Sequence, residues 1–380
     1  DVRGRRRGGN GEGRDQVSSD STEVIDCAVH PVPASTEEFA QYLPQPLRSR
    51  ARKLNPPYNR DLVNPPFPEP SAWSDGPEQR IGSSVAGCLD DLSSSGISKA
   101  ALVPLGHGLV PDARVSSDLA CATNEWLADR WLSAEGADRL FGSISVGSRD
   151  PAGAVAEIER WAGDGRFVQV VVPTEALAPY GQEQYFPIWE AAAHVGLPVV
   201  VVSSRSWGVG GPVTPFGEPR YYSEAATQQP FAGTTHLASL VSEGVFDRLP
   251  DLRFVFADGG FAMAVTLLWR VNNDWRGSRY DVPWVSRPPL DYLAEHVRFV
   301  LHAADLIDPP DQFETLVRLC GCESLLLFGS RYPYWDHLKP AEVRSAVTEA
   351  LLHDLFRENA LRTYPRMAGT RSTDDGLLRR

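Results

Sequence analysis

Eight apolar runs of strand length, separated by stretches with helical spacing, limit the folds open to this chain more than any other feature. They are VIDCAVH (24–30), AALVPL (100–105), LFGSISV (140–146), FVQVVVP (167–173), LPVVVVSS (197–204), RFVFADGG (253–260), VRFVLHA (297–303) and LLLFGS (325–330). Their Val, Leu and Phe residues run on without polar alternation, which predicts strands covered on both faces, as in a parallel sheet. Between them, DLACATNEWLADRWLSA (118–134) repeats apolar residues at helical intervals. DPAGAVAEIERWAG (150–163) opens with Asp-Pro, a good helix start, and QYFPIWEAAAHVG (184–196) ends on the glycine where a helix should stop. Strands alternating with helices in this number predict an α/β fold, a single-domain (β/α)8 TIM barrel. An open doubly wound sheet is the rival, but no G-x-G-x-x-G follows the first strand.

The length beyond a minimal barrel has visible places. Residues 31–80 and 205–235 follow the first and fifth strands, so both insertions should lie on the C-terminal face, where ligands bind in such folds. The expected division is an Arg/Gly-rich disordered tail over 1–21, the barrel over 22–368, and a disordered tail over 369–380. Arg3, Arg5, Arg6, Arg7 and Arg14 lie among glycines without an apolar run after them, so they do not form a secretory signal. A net charge of -12 argues against nucleic acid or an anionic membrane surface as partner. The five cysteines have no disulfide-framework spacing and predict reduced thiols; with no membrane-length apolar run, a soluble cytoplasmic protein is expected.

Several pieces in order resemble the amidohydrolase-related family, which includes aminocarboxymuconate semialdehyde decarboxylase. They are VIDCAVHP, ATNEWLADRW, RLFGSISVGSRDP and YFPIWEAAAHVGLPVVV, then LASLVSEGVFDRLPDLRFVFADGGF, LLLFGSRYPYWD and LFRENALRTYP. The resemblance spans residues 22 to 366 and implies a metal-dependent barrel that hydrolyses or decarboxylates small molecules. A catalytic divalent metal needs about three protein ligands and an open position for water. The family takes its zinc or other divalent ion from strand ends, and most of those positions have changed here. The first-strand acid or histidine is Ala28, while His30 remains; the fifth strand reads Val202-Ser203-Ser204 where a histidine is expected. The sixth has Asp258 before paired glycines, and on the eighth the ligand aspartate and following histidine are Arg331 and Tyr334.

The site expected from these positions comprises His30, Asp258 and Arg331 in catalytic roles, with Ser203, Ser204, Arg205 and Tyr334 touching substrate. No metal and no cofactor are expected. Arg331 has two readings. It could restore the lost cation and hold a carboxylate through its planar fork, or it could pair with Asp258, Asp305 or Asp336 and fill the space. His30 is either a binding residue or a packed histidine, and the glycines after Asp258 would let a ligand approach the backbone. His107 reads as a loop histidine, His236 as the start of the helix before the sixth strand, and His302 as lining the pocket or packing below it. No G-x-S-x-G surrounds either serine, which removes a serine hydrolase. Two functions stay open: a metal-independent hydrolase or decarboxylase of small carboxylated or amide substrates, or a non-catalytic subunit. The expected partner is a small-molecule carboxylate, with a homodimer or a heteromer with an intact paralogue as the assembly.

Overall fold

The computed structural model describes residues 22–49, 82–104, 110, 112–203, 222–334 and 336–369. Eight parallel strands follow one another around a single sheet in sequence order. They are β1 (Val24–Val29), β2 (Ile97–Leu102), β3 (Leu140–Ser145), β4 (Phe167–Pro173), β5 (Val199–Val202), β6 (Phe254–Phe256), β7 (Val297–Val300) and β8 (Leu326–Leu327). The ring closes where the chain after β8 meets β1: Cys27 N–H donates to Phe328 O at 2.8 Å and Arg331 N–H to Ala28 O at 2.9 Å. His30 N–H donates to Tyr332 O at 2.7 Å, so pairing continues to the C-terminal rim. The architecture is a (β/α)8 barrel.

Crossover helices lie between the strands: α1 (Val85–Ser94), α2 (Ala113–Trp126), α3 (Pro151–Ala162), α4 (Phe186–His194), α5 (Tyr222–Ser242), α6 (Phe261–Ser278) and α7 (Pro310–Cys320). Asp150 caps α3 by accepting the Gly153 N–H at 3.1 Å, with Pro151 in the first turn. α4 stops at His194, and Gly196 beyond it takes a φ of 67°. Two boundaries differ from the pattern reading. α2 starts earlier because Asp112 caps it, accepting from Arg114 and Val115 N–H, and it runs on into a π-helical turn over Leu127–Trp131. α5 begins at Tyr222, so His236 lies within a helix and does not open it. The helix also takes in the described part, 222–235, of the second expected insertion; residues 205–221 of it, and 50–80 of the first, lie outside the described residues. So do both expected tails, except Gly369.

Strand alternation divides the core into two layers. Phe254 and Phe256 pack outward with Trp126 and Trp189 of the helical shell, while Ile25, Phe141, Val200, Val255 and Leu327 point into the barrel. Ala360, Tyr364 and Met367 pack against these inward residues, so the C-terminal segment closes the floor beneath the N-terminal strand ends. Burying each large apolar side chain contributes roughly 1.5–3 kcal/mol, which makes the barrel a firm frame for its rim. All five cysteines are free thiols, and burial raises the pKa of each. No helix among the described residues is long and apolar enough to cross a membrane.

Candidate functional site

At the C-terminal rim the chain leaves β8 through Gly329 and Ser330 and turns sharply at Arg331. Arg331 has φ 60°, the one positive φ at a non-glycine among the described residues. A left-handed turn at an L-residue costs roughly 1–2 kcal/mol, so the surrounding contacts must hold it. They are visible on both sides: Arg331 N–H reaches Ala28 O on β1, and Tyr334 N–H closes the turn on Arg331 O, both at 2.9 Å. The fold below is tight as well, since a Cβ on Gly329 would meet Val300 Cγ1 at 2.3 Å.

This turn directs the guanidinium inward between two carboxylates. Arg331 Nη1 stands 3.8 Å from Asp258 Oδ1, and Nε stands 3.7 Å from Asp336 Oδ2. The guanidinium carbon lies 5.3 Å from the Tyr334 ring centre, a cation–π contact. Neither ion pair is at hydrogen-bond distance, and Arg331 Nε is buried without a hydrogen-bond partner among the described residues. Asp258 is held from β5: its Oδ2 accepts from Ser203 N–H at 2.8 Å and Ser203 Oγ–H at 3.0 Å, with Thr174 Oγ1–H at 3.3 Å. His30 is 2% exposed; its Nδ1 bonds Val103 O at 2.9 Å, and its ring meets Tyr334 edge-on at 5.2 Å. His30, Ser203, Asp258, Arg331 and Tyr334 therefore share one end of the barrel. Ser204, Arg205 and His107 lie outside the described residues.

Three further residues belong to this constellation: Thr174, which the sequence did not single out, Asp336, expected only as a possible partner of Arg331, and His302, expected either to line the pocket or to pack below it. His302 Nδ1 accepts the Ala304 N–H at 3.0 Å, which leaves its ring proton on Nε2, 3.0 Å from Asp336 Oδ2. Burial pushes the Asp336 carboxyl up, but the His302 bond and the Arg331 charge outweigh it and hold the group down at about 2. Asp305 is the opposite case. Burial raises its pKa even though its oxygens accept from Gly260 and His302 N–H. The end of the seventh apolar run pointed to His302 and the short spacing from Arg331 pointed to Asp336, whereas Thr174 beyond β4 carried no such signal.

The paired glycines after Asp258 serve the chain itself. A Cβ on Gly259 would meet Asp305 Oδ2 at 2.5 Å and His302 Cβ at 2.7 Å, and one on Gly260 would meet Pro230 Cβ at 2.3 Å. The expected approach of a ligand to this backbone is thus replaced by protein packing. A narrow cleft does open beside Asp258, between Thr174, Gly233, Leu237 and Phe256. Next to it His236 is a structural histidine. Its Nδ1 accepts from Tyr180 N–H at 3.1 Å, its Nε2–H donates to Thr174 O at 2.7 Å, and burial lowers its pKa to about 4.

The donors described here do not fit the divalent metal of the family. Among the described residues no three His, Cys, Asp or Glu side chains stand close enough to share an ion. Ala28 offers a methyl group and Ser203 a hydroxyl already bonded to Asp258. The fixed charge of Arg331 lies beside Asp258, where it would repel a cation.

Solved structures share this barrel. A 5-carboxyvanillate decarboxylase from Sphingomonas paucimobilis is 18% identical with a TM-score of 0.64, covering 91% of this chain and 99% of its own. An amidohydrolase from Mycobacterium avium subsp. paratuberculosis is 21% identical, TM-score 0.66, covering 91% and 100%. A dihydroxybenzoic acid decarboxylase from Polaromonas, with bound manganese and the inhibitor 2-nitroresorcinol, is 16% identical, TM-score 0.61, covering 94% and 100%. A search of curated proteins finds no match. The model of the amidohydrolase family matches residues 25–366, nearly the whole barrel from β1 to the floor, and the chain belongs to that family.

Proposed function

We propose that this chain is a metal-independent member of the amidohydrolase family that binds a small carboxylate at Arg331 and removes its carboxyl group. The observation that carries the reading is the buried Arg331 Nε without a hydrogen-bond partner among the described residues, on a guanidinium flanked by carboxylates at 3.7 and 3.8 Å. Those distances leave donor capacity for a planar acceptor, and a charge-assisted fork contributes roughly 1.5–3 kcal/mol. The similar barrels from Sphingomonas and Polaromonas are decarboxylases of aromatic acids, which favours a substrate of that class. Loss of carbon dioxide leaves an electron pair on the former carboxyl-bearing carbon, and a proton must fill it. Asp336, held in place by the His302 Nε2–H bond to its Oδ2, stands beside Arg331 and would carry that proton from solvent to the carbon on its other oxygen, Oδ1.

A second reading also has an observation in its favour. Asp258 and Asp336 already offset the charge of Arg331, as they would in a ligand-binding or partner subunit without turnover. The test uses the full chain, metal-stripped, with a panel of hydroxybenzoates. Binding is followed by calorimetry and release of labelled carbon dioxide by mass spectrometry. Arg331→Ala should weaken binding by about one to two powers of ten with the fold retained, and added manganese should leave the rate unchanged. Turnover that appears only with manganese would refute metal independence. Binding unaffected by Arg331→Ala would remove its assigned role, and binding without turnover would select the subunit reading.

A further inference from the structure

At the opposite end of the barrel three arginines have no carboxylate partner among the described residues, although Glu23 and Asp164 pair with other basic side chains there. Arg298 is the second residue of β7 and is 6% exposed at the floor. Its Nη1 donates to Ala294 O at 3.0 Å and Val297 O at 2.7 Å, while its Nε is buried without a partner among the described residues. Arg253, just before β6, donates from Nε to Glu295 O at 3.2 Å, the carbonyl next to Ala294 O. Arg362, in the segment that closes the floor, is exposed and acts electrostatically on Arg298, as Arg253 does. None of the three makes an ion pair with a carboxylate among the described residues, in a chain with 49 acidic and 37 basic side chains. The Tyr364 hydroxyl, buried in the same floor, also has no partner.

Capping the last carbonyls of the short helix Leu293–His296 explains part of this arrangement. It accounts for Arg253 Nε and Arg298 Nη1. It leaves Arg298 Nε and the Tyr364 hydroxyl unexplained, and a buried polar group without a partner is costly. We propose that Arg298, Arg253, Arg362 and the Tyr364 hydroxyl form a binding site for a small tetrahedral oxyanion of the phosphate class at the barrel floor. An oxyanion suits the group better than chloride. Forked guanidinium donors and a hydroxyl can each take a separate oxygen of one ligand. Burial and the charges of Arg253 and Arg362 lower the Arg298 pKa to about 10, and an anion would relieve the repulsion among the three. The site lies at the end of the barrel away from Arg331, so it stands independently of the decarboxylase reading.

The experiment titrates the full chain with phosphate, sulfate and chloride at constant ionic strength. It follows the melting temperature, and phosphate affinity by calorimetry. Phosphate and sulfate should raise the melting temperature with concentration and chloride should not, as expected for a ligand of the folded state. Arg298→Gln should weaken phosphate binding at least about tenfold. Because Arg298 also holds two carbonyls, its variant could fail to fold, and two gentler variants then decide. Arg362→Gln changes an exposed side chain, and Tyr364→Phe removes only the hydroxyl. Both should fold and both should lower phosphate affinity by about threefold or more. Equal responses to phosphate and chloride, or unchanged affinity in both gentler variants, would overturn the site and leave the arginines as carbonyl caps.

Discussion

Replacing Asp336 by Asn keeps the shape of the side chain and removes the charge that joins His302 to Arg331. The carboxyl is 8% exposed, 3.0 Å from His302 Nε2 and 3.7 Å from Arg331 Nε. These partners bring its pKa from the ordinary 3.8 to about 2. At about 1.4 kcal/mol per unit, the charged form contributes on the order of 2 kcal/mol to stability at pH 7. The sign follows from the direction of the shift. A carboxyl with a depressed folded pKa stabilises the fold above its unfolded pKa, and the contribution is lost as pH falls through the folded value. The difference between wild type and Asp336→Asn should therefore be about 2 kcal/mol at pH 7 and fall to roughly half near pH 3. Asp305, whose pKa moves the other way, is present in both proteins and cancels to first order. Urea unfolding across pH 3–7 at fixed ionic strength measures the difference. A difference that is absent at pH 7, or that does not shrink with acid, would refute the coupling of Asp336 to His302 and Arg331.

Other perturbations test separate parts of the structure. His236 is buried and neutral with a pKa near 4, against an ordinary 6.5. Relative to a His236→Gln variant, the wild type should lose on the order of 3 kcal/mol as pH falls from 6.5 to 4, measured by urea unfolding at each pH. Gly329→Ala would place a Cβ 2.3 Å from Val300 Cγ1 and 2.9 Å from Ala28 Cβ, so it should cost roughly 1–3 kcal/mol in a thermal melt. Arg331→Asp returns the family's residue beside Ala28 and Ser203, which supply no ligand. Elemental analysis should find no stoichiometric metal in that variant, while carboxylate binding falls as in Arg331→Ala.

The barrel was legible in the chain because each strand is a local run of apolar residues and several helix starts, at Ser84, Asp112 and Asp150, carry their own cap. Asp150-Pro151 opens α3 by contacts within four residues, and Gly196 follows α4 where the spacing ended it. The resemblance to the family had also singled out Ala28, Ser203 and Arg331 as changed positions, and a strand end in a barrel faces the rim whatever surrounds it. What those residues do there depended on closure of the ring. Arg331 is 73 residues from Asp258, and its place between Asp258 and Asp336 follows from a left-handed turn that no propensity favours in arginine. The use of Gly259 and Gly260 by Asp305, His302 and Pro230 was equally hidden, because side chains from two separate segments meet only over those glycines. The floor shows the same dependence. Arg253, Arg298 and Arg362 are scattered along the sequence, and only the docking of the C-terminal segment under the strands brings these like charges together, with no carboxylate paired to any of them among the described residues. Local pattern determines which elements form, because the period of burial is written residue by residue. Long-range closure decides which polar groups meet, because their distances are set by the circumference of the barrel and not by their spacing in the chain.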